Sequence, residues 1–152
     1  MISYKHTQIG YRMLFTLIAL VFFYTQLFKI ISPEISSNFI IIAIFYIAAL
    51  IFASFITLKV TIDESYLRIK FGYGVFSKKF SIKEIASVES VRNRWYHGWG
   101  VRLWFFPYMW IYNVSGFDAV EITMNSGRIY RIGTDESYKL EMAIKRATEF
   151  NK

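Results

Sequence analysis

Twenty consecutive residues without a charge, Phe39 to Leu58 (FIIIAIFYIAALIFASFITL), set the strongest limit on what this chain can become. As a helix such a run covers roughly 30 Å, the thickness of a bilayer's hydrocarbon core, and its small residues Ala43, Ala48, Ala49, Ala53 and Ser54 leave room for a second helix. A partner lies just upstream. Met13 to Ile31 (MLFTLIALVFFYTQLFKII) would extend about 28 Å, with Lys29 near enough to its end to snorkel. Between the runs, SPEISSN at Ser32 to Asn38 supplies a proline to end one helix and capping residues to start another. Two transmembrane helices, about 13–31 and 39–58, are therefore predicted as a hairpin anchor over residues 1–58. A cleavable signal peptide fits less well, because no small-x-small pattern follows the first run.

Charge gives the anchor an orientation. The chain has 152 residues, an apolar fraction of 55% and a formal charge of +7. Basic soluble proteins are hydrophilic as a rule, whereas basic membrane proteins hold lysine and arginine beside an anionic leaflet. Lys5, Arg12 and Lys59 flank the two runs on one side, and the connecting loop offers only Glu34. Both termini are thus predicted to be cytoplasmic, in a multi-pass protein of the inner membrane. There is no cysteine, which excludes disulfides, thiolate metal sites and cysteine nucleophiles.

From Lys59 the pattern changes to period two. KVTIDESYLRIKFG places Val60, Ile62, Leu67, Ile69 and Phe71 on one face of two strands broken at Asp63, Glu64 and Ser65. GYGV makes a second turn through Gly72 and Gly74, FSKKFSI a third strand, and Val88 to Arg92 a further one. AVEITM and RIYRIGT flank Asn125, Ser126 and Gly127 as a hairpin. Asp135 to Phe150 is helical, capped by Thr134 or Asp135, with Leu140, Ala143, Ile144 and Ala147 on one face. Residues 59–152 are predicted to form six or seven antiparallel strands closed by this amphipathic helix.

The segments IDESYLRIKFGYGVFSKKFSIKEIASVE, GWGVR, YNVSGFDAVEI and YRIGTDE, set behind a two-helix anchor, carry a resemblance. The chain resembles the bacterial membrane proteins with a pleckstrin-homology (PH)-like domain. That resemblance implies an all-β barrel whose open end is plugged by the C-terminal helix, and it brings no agreed reaction or ligand.

No catalytic constellation is visible. The two histidines, His6 and His97, lie far apart in sequence, and HExxH, metal-spaced carboxylates and a nucleophile elbow are all missing. Asp63 with Glu64, and Asp135 with Glu136, suit a turn and a helix start. Gly72-Tyr-Gly74 and Gly98-Trp-Gly100 lack the context of a phosphate loop and read as turn glycines. The chain is expected to be no enzyme and to need no cofactor or metal.

What remains is Trp95 to Tyr112, with nine aromatic residues beside Arg92 and Arg94. So many rings exceed what a domain of this size can bury, particularly with Pro107 among them. Trp and Tyr favour the headgroup level, and arginines meet phosphates there. Arg92, Arg94, Trp95, Trp99, Arg102, Trp104, Phe105, Phe106 and Trp110 are the candidate lipid or partner interface. A collar of rings packed on the barrel and the membrane helices would use the same residues without any ligand. Arg68, Lys70, Lys78, Lys79 and Lys83 form a second basic patch, which a solvated strand face guarding an edge also explains. The partners expected are the bilayer, with anionic headgroups, and other membrane proteins or a second copy of the chain. Nucleic acid is not expected, since membrane topology accounts for the charge and no RNA-binding strand motif is present.

Overall fold

In the computed structural model, residues 4–31 and 39–150 are described; the predicted turn Ser32 to Asn38, with Glu34, lies outside them. Strand β1 (Tyr4–Ile9) leads through Gly10 into helix α1 (Tyr11–Ile31), and helix α2 (Phe39–Ala53) leads into β2 (Thr57–Ile62). Along α1 and α2 large apolar side chains face outward, among them Phe15, Phe22, Phe23, Ile40 and Leu50. The helices meet where Tyr24 stacks on Phe45, ring centroids 3.6 Å apart. α1, with 21 residues, is long and apolar enough to cross a membrane, a test that a signal sequence near the N-terminus also passes.

α2 differs from expectation. It spans 15 residues, about 22 Å, and stops at Ala53 instead of Leu58. The cause is local: Ser54 turns its hydroxyl back onto the Ile51 carbonyl (2.6 Å), and the next five residues pass into the ladder of β2. Thr57 and Leu58, apolar enough to extend a span, are used as strand.

The remaining elements are β3 (Tyr66–Phe71), β4 (Phe76–Ser81), β5 (Ile85–Arg92), β6 (Gly100–Phe105), β7 (Tyr108–Asn113), β8 (Asp118–Met124), β9 (Ile129–Gly133) and α3 (Ser137–Glu149). They make a four-stranded sheet in the order β1-β2-β3-β4 and a five-stranded sheet in the order β5-β8-β9-β7-β6. The predicted alternation sets the first sheet: Leu58, Val60, Ile62, Leu67, Ile69 and Phe71 are buried between the sheets. The Asp63 carboxylate closes the β2–β3 turn by accepting the Ser65 and Tyr66 N–H groups at 3.0 and 2.8 Å. β8 and β9 pair as the expected hairpin, with Gly127 at φ +79. β7 and β9 run parallel, so the second sheet is mixed.

The two sheets do not close into the expected barrel. Rings stand between their faces: Phe80 meets Tyr130 edge-on at 4.8 Å and Phe76 meets Tyr112 at 5.7 Å. Side chains of that bulk hold facing sheets roughly 10 Å apart, too far for β4 to hydrogen-bond across. α3 covers the sandwich with Leu140, Ile144 and Ala147, and Ala143 packs beside them. It begins at Ser137, two residues later than predicted, after the Thr134 hydroxyl accepts the Glu136 N–H at 3.1 Å. At its edge toward β5, Glu141 accepts bonds from the N–H and hydroxyl of Ser90 and from Lys145, tying helix to strand.

β1 was not predicted. It pairs antiparallel with β2 along its whole length, Tyr4 opposite Ile62 and Ile9 opposite Thr57, so the first residues of the chain complete the sheet that continues after the helices. No linker separates helices from sheet. Gly10 donates its N–H to the Ile56 carbonyl at 2.7 Å, holding the entry to α1 against the exit from α2.

Candidate lipid and partner interface

The end of the sandwich nearest the helices is defined by close contacts. Gly72 donates to the Thr57 carbonyl at 2.9 Å, and its Cα faces the Ser54 backbone so closely that a Cβ would overlap the Ser54 carbonyl. The β3–β4 turn is therefore held against the end of α2, and its tip leaves Tyr73 82% and Val75 68% exposed. Across from it Arg12, in the first turn of α1, lies over the Trp99 ring at 5.7 Å, and Arg102 donates from Nε to the Trp99 carbonyl at 3.2 Å. Trp99 and Arg102 thus stand beside the first turn of α1. Tyr73 and Val75 are large exposed side chains at a turn that the sequence marks only by its glycines.

The outward face of the first sheet is basic. In register, Lys5, Thr61, Arg68 and Lys79 form one row, and Thr7, Lys59, Lys70 and Ser77 the next. Lys59 opposite Lys70 and Arg68 opposite Lys79 are like-charge cross-strand pairs, an arrangement that destabilises a sheet unless anions meet it. Arg68 is relieved by Asp63 (2.6 Å) and Lys79 by the Tyr66 ring (3.4 Å). Desolvation raises the Asp63 pKa, but bonds from the Ser65 and Tyr66 N–H groups and the charges of Arg68 and Lys79 outweigh it and hold that carboxyl below its ordinary value. Lys59 and Lys70 have no acidic partner among the described residues. Of the predicted patch, Arg68, Lys70 and Lys79 share this face, Lys5 and Lys59 extend it, Lys78 points to the other side of β4, and Lys83 lies apart in a 3-10 turn at Ile82–Glu84.

The aromatic stretch is divided among several surroundings. Beyond Trp99, the segment Trp95–His97 forms a 3-10 turn folded over the outward face of the second sheet. There Tyr96 stacks on Trp104 (5.3 Å, 27°), while Trp95 remains 80% exposed. Arg92, Arg94, Tyr96, His97, Trp104, Phe106, Pro107, Met109 and Arg131 surround a cavity of about 360 Å³. His97 is buried, and its Nδ1 accepts the Arg94 N–H at 3.3 Å. Burial first, then the charges of Arg131 and Arg94, push the His97 pKa below its ordinary value.

Phe105, Phe106 and Tyr108 make the tip of the β6–β7 hairpin, where the Phe106–Pro107 bond is cis and Phe106 is 90% exposed. The tip lies one strand length, about 16 Å, from Gly100 at the helix end. Trp110 turns inward instead, into a cleft of about 540 Å³ between β4 and β7, shared with Phe76, Lys78, Tyr112, Arg128 and Tyr130. Burial, with Tyr130 as a second contribution, pushes the Tyr112 hydroxyl pKa well above its ordinary range.

His6 completes the polar inventory. Its Nε2 lies 2.5 Å from Asp135 and its Nδ1 3.5 Å from Glu136. Burial, with these two carboxylates behind it, pushes the neighbouring Tyr4 hydroxyl up to about 12. Among the described residues no group of three or more His, Asp or Glu is placed to hold a metal ion. No family model, curated protein or solved structure matches this chain.

Proposed function

We propose that this chain is a non-enzymatic membrane protein in which α1 and α2 anchor a cytoplasmic domain of PH-like build, seated on the anionic inner leaflet, where it scaffolds the assembly of other membrane proteins. The observation that carries this is the junction at Gly10 and Ile56, where two strands of one sheet run directly into two lipid-suited helices. A sheet so tethered stays within reach of the headgroups, and weak contacts then suffice because the local lipid concentration is high. The contacts are of the right kind: Arg12, Lys59 and Lys70 for phosphates, Trp99 and Tyr73 for the interfacial layer. Two facing sheets with a covering C-terminal helix support the PH-like comparison without the closure of a barrel.

α2 is short for a span, and local thinning of the bilayer around it accommodates its 15 residues. Both termini lie on the cytoplasmic side in this reading, because β1 and β2 belong to the same sheet.

A second reading, an accessory subunit of a membrane enzyme or transporter, is favoured by the hairpin tip at Phe105 to Tyr108, which projects far from the helix ends. One experiment separates the two uses. The chain has no cysteine, so single spin labels at Tyr73→Cys and Phe106→Cys report their depth in nanodiscs without a background substitution. The proposal expects Tyr73 at headgroup depth. A water-exposed Tyr73 label would overturn it, while a water-exposed Phe106 label assigns the tip to a protein partner and a lipid-exposed one assigns it to the leaflet.

A further inference from the structure

The cavity on the outward face of the second sheet has a composition that neither anchoring nor core packing accounts for. We propose that it is a binding site for a phosphate dianion carrying a flat or apolar substituent. Arg92, Arg94 and Arg131 converge on it, and among the described residues no Asp or Glu lines it. Arg131 is bound through Nε to Glu121 at 2.6 Å, and Arg94 through Nη1 to the Tyr96 hydroxyl at 2.8 Å. Glu121 and its cross-strand neighbour Glu89 stand beside Arg131, and Asp118 lies opposite Arg92 in register, but none of these carboxylates lines the cavity, whose own charged lining is three guanidinium groups, a lining suited to an anionic ligand. Guanidinium groups match the geometry of phosphate oxygens and bind them in forks.

His97 fits the same ligand. Nδ1 lies 3.3 Å from the Arg94 N–H and 3.4 Å from Asn93 Oδ1; in the tautomer that accepts from Arg94, the proton sits on Nε2 and makes it a donor. Burial chiefly lowers the His97 pKa, and the charges of Arg131 and Arg94 beside it lower it further. Tyr96 and Trp104, stacked against each other, form a flat wall. At about 360 Å³ the cavity is roomier than inorganic phosphate requires and falls within the range of small-molecule sites. The substituent would lie on that wall.

Such a group belongs equally to a lipid headgroup and to a soluble phosphate ester, and the test separates them. The full chain in phosphatidylcholine nanodiscs is titrated calorimetrically with inorganic phosphate and with phenyl phosphate. Saturable binding of both is expected, with phenyl phosphate several-fold tighter. Arg92→Gln and Arg94→Gln, both at exposed positions, should each weaken binding about tenfold. Arg102→Gln, which removes the same charge outside the cavity, should change it less than about twofold. Repeating the titration in nanodiscs containing phosphatidate assigns the source: weaker apparent phenyl phosphate binding identifies a lipid headgroup as the occupant, unchanged binding a soluble ester. No saturable binding of either probe, or equal weakening by Arg102→Gln, overturns the proposal. The leaflet contact of the first sheet is unaffected by either result, since it uses other residues.

Discussion

Gly10→Ala probes the junction on which the architecture rests. A Cβ at residue 10 would stand 2.6 Å from the Val114 carbonyl oxygen and 2.9 Å from that of Ile56, both main chain. Ordinary contact begins near 3.4 Å, so the backbones of two sheets must each give way by half an ångström or more. The Gly10 N–H bond to Ile56, 2.7 Å long, is strained by the same movement. Overpacking of this kind costs about 1–3 kcal/mol, and a weakened backbone bond adds roughly 0.5–1.5 kcal/mol. A total near 2–3 kcal/mol lowers the melting temperature of a domain this size by roughly 5–15 °C. The assay is near-ultraviolet circular dichroism of the full chain in detergent, following the aromatic core as it melts. Gly127→Ala is the comparison, since nothing lies within 4 Å of that Cβ and only its φ of +79 resists the change. A Gly10→Ala melt within about 2 °C of the parent would refute a tight junction and imply a hinge between helices and sheet.

Three further outcomes follow from the same structure. His97 has its pKa depressed below 6.5 by folding, so the unfolded chain binds more protons below that pH and stability falls as the solution is acidified. His97→Gln should remove this slope, which is at most about 1.4 kcal/mol per pH unit, in denaturant titrations compared between pH 7.5 and 5. Glu141→Gln loses charge-assisted bonds with Lys145 and Ser90 and, after allowance for its partial exposure, should cost about 1 kcal/mol at neutral pH. Those bonds also hold the Glu141 pKa below 4.5, so the difference from the parent should vanish as pH drops through that lowered value. Leu140→Ala, in the fully buried face of α3, should cost about 2–5 kcal/mol by equilibrium unfolding, while Tyr138→Ala on the exposed side should cost under about 0.5 kcal/mol.

The first sheet was legible because its alternation is strict within each strand: every second residue from Leu58 to Ile62 and from Leu67 to Phe71 is apolar and buried, and the breaks at Asp63 and Gly72 fall where the chain turns. β1 left no such trace. Its inward residues are Tyr4, His6 and Gln8, so pairing with β2 decides the strand, and pairing across 50 residues has no local signature. β6 and β7 were hidden by rings on both faces and by Pro107, which sits at the turn between them. For α2, apolar content and helix length are separate properties, and β2 claims the last residues of the run.

The candidate interface was legible as composition and illegible as geometry. The stretch 95–112 is as rich in rings as the surface requires, yet Trp110 faces a cleft with Lys78, Trp99 meets Arg12, and Phe106 stands at a tip. Arg131 entered the arginine cavity unannounced, because it comes near Arg92 and Arg94 only through the β5-β8-β9 order of the second sheet. A signal existed in the like-charged cross-strand pairs of the first sheet, but it becomes readable only once register is known.

Lysine accessibility tests the central claim most directly. The full chain is placed in nanodiscs of phosphatidylcholine alone or with about one-third phosphatidylglycerol, and each lysine's rate of amine labelling is read by mass spectrometry at low and high salt. Lys59 and Lys70 should be protected several-fold in the anionic discs at low salt and released at high salt, with Lys139 and Lys145 on α3 unchanged throughout. Equal labelling of Lys59 and Lys70 in neutral and anionic discs would contradict a domain seated on the leaflet.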